Sequence, residues 1–148
     1  MSRLDQHIKK VLIDRLCQDG QVDLANVKVA VKDGQVTLSG AVFGYLASHK
    51  AEVYASHILG VSRVINNIVV QYPSTEVLPD DANLKSNLIN VLKLYADIDI
   101  YHIEVLINNR WVTLEGHVQQ LWEKYLIEEL ACTVYGIKGI TNNILIFP

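Results

Sequence analysis

The residues of this chain that come nearest to a reactive cluster are His102, Glu104, Glu115 and His117. They flank Asn109-Arg110, where a two-residue hairpin turn sets residues whose numbers sum to 219 opposite each other. His102 then faces His117 and Glu104 faces Glu115. All four share one side of the strand pair, because side chains alternate along a strand. Two imidazoles and two carboxylates in one patch are a donor set for a divalent ion. The plainer reading is a pair of opposed glutamates that repel weakly in water or are neutralised by a lysine such as Lys28, and the spacing matches no established metal signature. A second candidate chemistry rests on Asn66-Asn67 and Asn142-Asn143, with Asp23 and Asp99. Their side-chain oxygens suit a hard cation such as potassium, although Asn and Asp at turns more commonly bond to neighbouring backbone. No Gly-rich phosphate loop, HExxH, nucleophile elbow or acid pair at usable spacing occurs. The reading is of a protein that is not an enzyme and needs no cofactor.

The remaining candidates are apolar. Trp122, Tyr125 and Leu126 share a face of the last helix at i, i+3 and i+4, with Leu121 beside them, off the stripe formed by Ile127, Leu130, Ala131 and Val134. Amphipathic rings beside leucine fit a membrane interface or a partner protein. Packing against the rest of the chain is the competing reading, and Glu123, Glu128 and Glu129 nearby disfavour anionic lipid. On the second sheet, strand alternation points Leu106, Trp111, Leu145 and Phe147 away from the helices. An outward set of that size implies contact, either between repeats or in a homodimer.

The elements that must hold these residues come from a repeat. Asp33-Gly34-Gln35-Val36-Thr37-Leu38-Ser39-Gly40 returns 76 residues later as Asn109-Arg110-Trp111-Val112-Thr113-Leu114-Glu115-Gly116, and Gly60, Asn66 and Asp5 each meet an identical residue at the same shift without a gap. The chain is a tandem duplication. The expected boundaries are repeat 1 over 1–72, a linker over 73–80 flanked by Pro73 and Pro79, and repeat 2 over 81–148.

Within repeat 1, Ile8, Leu12 and Leu16 make a helical stripe over 4–17, closed by Asp19-Gly20. Val27–Lys32 and Gln35–Ser39 alternate with period two around Asp33-Gly34, a type I′ hairpin signal. A helix over 45–59 buries Ala51, Tyr54, Ala55 and Ile58, with Gly60 closing it, and a third strand runs over 64–70. Repeat 2 follows with helices over 82–95 and 120–135 and strands over 103–108, 111–116 and 141–147. The fold class is α+β: two αββαβ repeats, each a three-stranded mixed sheet with two helices on one face. Asn109-Arg110 is the poorer I′ turn, so its hairpin is expected to be looser.

This order resembles the BON domain. The hairpin Asp33-Gly34-x-Val36-Thr37-Leu38-Ser39-Gly40, Ala51 and Ala55 on the second helix, and Gly60-Val61-x-x-Val64-x-Asn66-x-Ile68-x-Val70 carry the resemblance closely in repeat 1, and the match extends over repeat 2. Repeat 2 departs at Arg110, where the family has glycine, and at Glu115, where it usually has serine. The resemblance implies a non-enzymatic module, often paired, linked to phospholipid surfaces, osmotic stress, secretin-type pores and, in some members, potassium.

Bulk composition agrees with a folded, non-nucleic-acid protein. Half of the 148 residues are hydrophobic, a fifth are charged, and the net charge is -3. Residues 1–72 carry eight Lys/Arg against six Asp/Glu, and residues 73–148 carry five against ten. Basic residues interleaved with aromatics are missing, which speaks against nucleic acid. Cys17 and Cys132 are expected to be buried and reduced. The start shows no apolar signal segment and no run suits a spanning helix, so the expected location is cytoplasmic, peripheral to a membrane where one is met. The expected function is a BON-type binding module at a phospholipid surface or in an osmotic or envelope-stress assembly. A small-cation sensor and a structural homo-oligomer are the alternatives.

Overall fold

The computed structural model describes residues 2–19, 26–95 and 99–148, in two compact units, Met1–Gln71 and Tyr72–Pro148. Gly20 and Asp23, assigned above to a helix end and to a cation site, lie outside the described residues. In unit 1, α1 (Arg3–Gln18) begins where the Ser2 hydroxyl accepts the Asp5 N–H at 3.0 Å, which satisfies one of the first-turn donors that a helix leaves open. Ile8, Leu12 and Leu16 lie on its inner stripe and are fully buried. Cys17 falls off that stripe and is exposed, so the expectation that both thiols are buried holds for Cys132 alone.

Strands β1 (Val27–Lys32) and β2 (Gln35–Phe43) pair antiparallel, with Val29 opposite Leu38 and Lys28 opposite Ser39. Asp33 and Gly34 join them at φ 51° and 80°, the positive pair that a type I′ turn requires. β2 continues past the expected end at Ser39 because Gly40, at φ 107°, lets the strand bend against the start of β1; a Cβ there would lie 1.9 Å from the Asn26 carbonyl oxygen. The glycine that ends the repeated motif is therefore a steric requirement. Helix α2 (Tyr45–Ser56) crosses over the sheet, and α1 and α2 cover the same face, enclosing Val36, Leu38, Ala51 and Ala55.

The third strand returns parallel to β2 but in two pieces, β3 (Arg63–Asn66) and β4 (Val69–Gln71), each on the same edge of β2. The break has a side-chain cause. Asn66 Oδ1 accepts the Ile68 N–H at 3.0 Å, and its Nδ2 donates to the Ser48 hydroxyl at 3.0 Å. The carboxamide thus replaces one rung of the ladder and ties the kink to α2.

Unit 2 repeats the plan with α3 (Asp81–Tyr95), β5 (Ile103–Asn108), β6 (Trp111–Val118), α4 (Leu121–Cys132), β7 (Gly139–Asn142) and β8 (Leu145–Ile146). Leu84, Leu88, Leu92, Val112, Leu114 and Ile127 fill its core. Asn142 reproduces the strand break, accepting from the Ile144 N–H at 3.2 Å and donating to the Lys124 carbonyl at 3.3 Å. Helix α4 stops at Cys132 rather than 135, where the Thr133 N–H and hydroxyl both turn back on the Leu130 carbonyl. Tyr72, assigned above to the end of repeat 1, belongs to this unit: it donates its hydroxyl to the Ile137 carbonyl and meets Tyr135 edge-on at 5.2 Å.

Candidate functional site

One carboxylate in each unit does structural work that the sequence pattern did not announce. In unit 1 the Asp33 and Gly34 N–H groups donate to Asp5 Oδ2 and Oδ1 at 2.9 and 3.0 Å. In unit 2 the Asn109 and Arg110 N–H groups donate to Asp81 Oδ2 and Oδ1 at 3.0 and 2.9 Å. Both hairpin turns are therefore clamped by a carboxylate in the first turn of the preceding helix, where the helix dipole also favours negative charge. The Gly34 bond first, opposed by desolvation and helped by the Asp33 bond, holds the Asp5 carboxyl below its ordinary value. The identity of Asp5 and Asp81 under the 76-residue shift is the one signal that pointed at these residues.

The clamp also answers the expectation of a looser second hairpin. Asn109 and Arg110 adopt φ 50° and 64°, the same turn as in unit 1, with both central N–H groups tied down. Arg110 bears the strain of a left-handed non-glycine residue.

The four-residue His/Glu patch forms in part. Glu104 pairs with Glu115 in the ladder, both exposed, and the rings of His102 and His117 stack at 4.6 Å beside Phe147. Among the described residues, no group of three or more His, Cys, Asp or Glu side chains is placed to hold a metal ion. The Asn pairs are used differently from a cation site: Asn66 and Asn142 spend their oxygens on backbone N–H groups, and Asp99 Oδ1 accepts the Tyr101 N–H at 3.0 Å. Among the described residues no buried side-chain nitrogen or oxygen lacks a partner.

The apolar candidates are at the surface. On α4, Leu121, Trp122 and Tyr125 are exposed, while Leu126 is half-buried. Glu123 is occupied in a capping box, its carboxylate accepting the Gln120 N–H at 3.0 Å. At the opposite end of α4 Cys132 is buried, which together with Glu128 and Glu129 pushes its thiol up to about 12 and keeps it protonated. On the open face of the second sheet, Leu106, Trp111, Leu145 and Phe147 are all exposed. The first sheet has Val69 and Phe43 there; Phe43 escaped the sequence reading because β2 outruns the expected strand.

A small α+β unit, used twice, with helices on one face of its sheet and apolar side chains left outward, belongs to the class of binding modules. The family model of the BON domain matches residues 4–72 and 80–146, and the chain belongs to the BON domain family. BON domains are generally non-enzymatic. No curated protein matches the chain. Among solved structures it is similar to the C-terminal domain of CdsD, a structural protein of the type III secretion system of Chlamydia trachomatis, at 13% identity and a TM-score of 0.40, covering 97% of this chain and 67% of that one. A second CdsD structure gives 10% identity and a TM-score of 0.42, covering 96% of this chain and 93% of that one. Among the described residues no helix is long and apolar enough to cross a membrane.

Proposed function

We propose that the chain is a docking module whose second unit rests on the interfacial layer of a phospholipid membrane through the first turns of α4. The observation that carries this reading is that Leu121, Trp122 and Tyr125 stand 51%, 56% and 53% exposed on adjoining turns of that helix. Indole and phenol rings favour the boundary between acyl chains and headgroups, where an apolar body and a polar tip are both solvated. α4 carries one cation, Lys124, against Glu123, Glu128 and Glu129, so the surface it suits is zwitterionic rather than anionic. A cation sensor has less support, because the Asn oxygens it would need already hold backbone donors.

Flotation with phosphatidylcholine vesicles tests the reading. The Trp111→Phe variant leaves Trp122 as the only indole, and its emission should shift to the blue on binding. Trp122→Ala should reduce partitioning roughly tenfold, the order expected from withdrawing part of an indole at about 25 cal/mol per Å². Absence of flotation with zwitterionic and anionic vesicles alike, with unchanged emission, would overturn it.

A further inference from the structure

We infer that the open sheet face of unit 2 docks on the open sheet face of unit 1 of a second copy of this chain. The two faces are opposite in charge. Strands β1–β4 carry Lys28, Lys32 and Arg63 and no Asp or Glu, while β5–β8 carry Glu104 and Glu115 and no Lys or Arg. All five of these side chains are exposed. Lys28 and Glu104 occupy the same position under the 76-residue shift, and Ser39, opposite Lys28, corresponds to Glu115, opposite Glu104. The same spot on one scaffold thus bears a cation in unit 1 and a pair of carboxylates in unit 2.

Each face also has an apolar centre to bury. Phe43 and Val69 are 67% and 56% exposed on the first, and Trp111 and Leu145 are 47% and 57% exposed on the second. Trp111 is fixed before any partner arrives. Its ring lies over Gly139, where an added Cβ would fall 2.5 Å from the indole, and its Nε1–H donates to Thr141 Oγ1 at 2.8 Å. A large aromatic held in one rotamer loses little further freedom on association, the property of a dominant contact in an interface. Charge then chooses the partner. Pairing two unit 2 faces would set Glu104 and Glu115 against their own copies, whereas the unit 1 face offers them lysine and arginine. A contact between two different faces of identical chains is heterologous, so it either closes on itself or extends.

Light scattering on the full chain is the test. At tens of micromolar and low salt, the mass should be at least twice the 16.6 kDa of one chain, and it should fall towards one chain as salt rises to about 1 M, where the Debye length shrinks to about 3 Å. Trp111→Lys should give monomer under all conditions, while Trp122→Ala, on the proposed lipid-binding helix, should leave the mass unchanged. The decisive arm uses two charge-reversed chains, one with Glu104→Lys and Glu115→Lys, the other with Lys28→Glu, Lys32→Glu and Arg63→Glu. Each alone should be monomeric, and the mixture should recover assembly. A wild-type chain that stays at monomer mass, or reversed chains that fail to combine on mixing while circular dichroism shows them folded, would overturn the inference.

Discussion

Units 1 and 2 keep most inward positions apolar and part company in polarity and charge outward. Some inward positions hold the same residue and others change in size or shape, as Ile8 to Leu84, Ala51 to Ile127 and Ile58 to Val134. Leu38 and Leu114, or Leu12 and Leu88, are equivalent and fully buried in both. At the surface, Lys28 becomes Glu104, Gln35 becomes Trp111, Leu46 becomes Trp122 and His49 becomes Tyr125. Even the joint between the paired helices differs. In unit 1, Tyr54 donates to Asp19 at 2.6 Å and Lys50 lies 3.4 Å from the same carboxylate, a bond that, with burial, raises the tyrosine's pKa. In unit 2 the counterparts of Lys50 and Tyr54 are Leu126 and Leu130, both half-buried. Burial holds the interior positions to apolar side chains even where their size changes, while surface substitutions away from special features rarely matter to stability. The divergence is therefore where a difference in task is recorded.

The strongest way to probe the shared part is to cut equivalent holes. Leu38→Ala and Leu114→Ala should each cost about 2–5 kcal/mol, and hydrogen exchange should lose protection in the unit that carries the cavity. Equal losses would confirm that the two cores are packed to the same standard.

The carboxylate clamp should be worth less. Asp81→Ala removes two charge-assisted bonds to the second hairpin and should destabilise unit 2 by about 1–3 kcal/mol in denaturant titrations. Asp5 supplies the pH dependence. Its folded pKa is depressed below the ordinary 3.8, so the clamp's contribution is complete above that value and is lost as pH falls through the folded value. Asp5→Asn should lower stability at neutral pH and flatten the acid limb of the thermal-melting profile of unit 1.

The turn residues give the smallest effect and the finest comparison. Arg110→Gly relieves a left-handed arginine, and after the extra entropy of an unfolded glycine unit 2 should gain up to about 1 kcal/mol. Gly34→Arg should do more harm than that gain, because a Cβ there would lie 2.9 Å from the Gly60 carbonyl oxygen and 3.3 Å from the Ser62 hydroxyl. Chemical denaturation of both variants checks the asymmetry.

What could be read from the sequence was whatever repeats locally. The period-two runs around Asp33-Gly34, the four-residue step of Ile8, Leu12 and Leu16, and the 76-residue shift report directly on strand, helix and duplication. The outward placement of Leu106, Trp111, Leu145 and Phe147 followed from alternation alone. Features set by distant partners stayed hidden. The Asp5 clamp spans 28 and 29 residues, and Trp111 meets Gly139 and Thr141 across parallel strands. The third strand reads as continuous because Val64, Ile68 and Val70 supply an apolar pattern, whereas the break depends on where a single carboxamide finds its donors.

That break bears on how the protein behaves at high concentration. An uninterrupted outer strand presents a row of free amides and carbonyls on which a foreign strand can template, the route into fibrils. Here the outer strand beside β2 runs four residues, stops and resumes for three, and the one beside β6 runs four and then two. At each interruption the chain spends its amides inward, on Leu38 and Leu114 and on the carboxamides of Asn66 and Asn142. No register on that flank is long enough to seed a ladder, so neighbours can add there only poorly by backbone pairing.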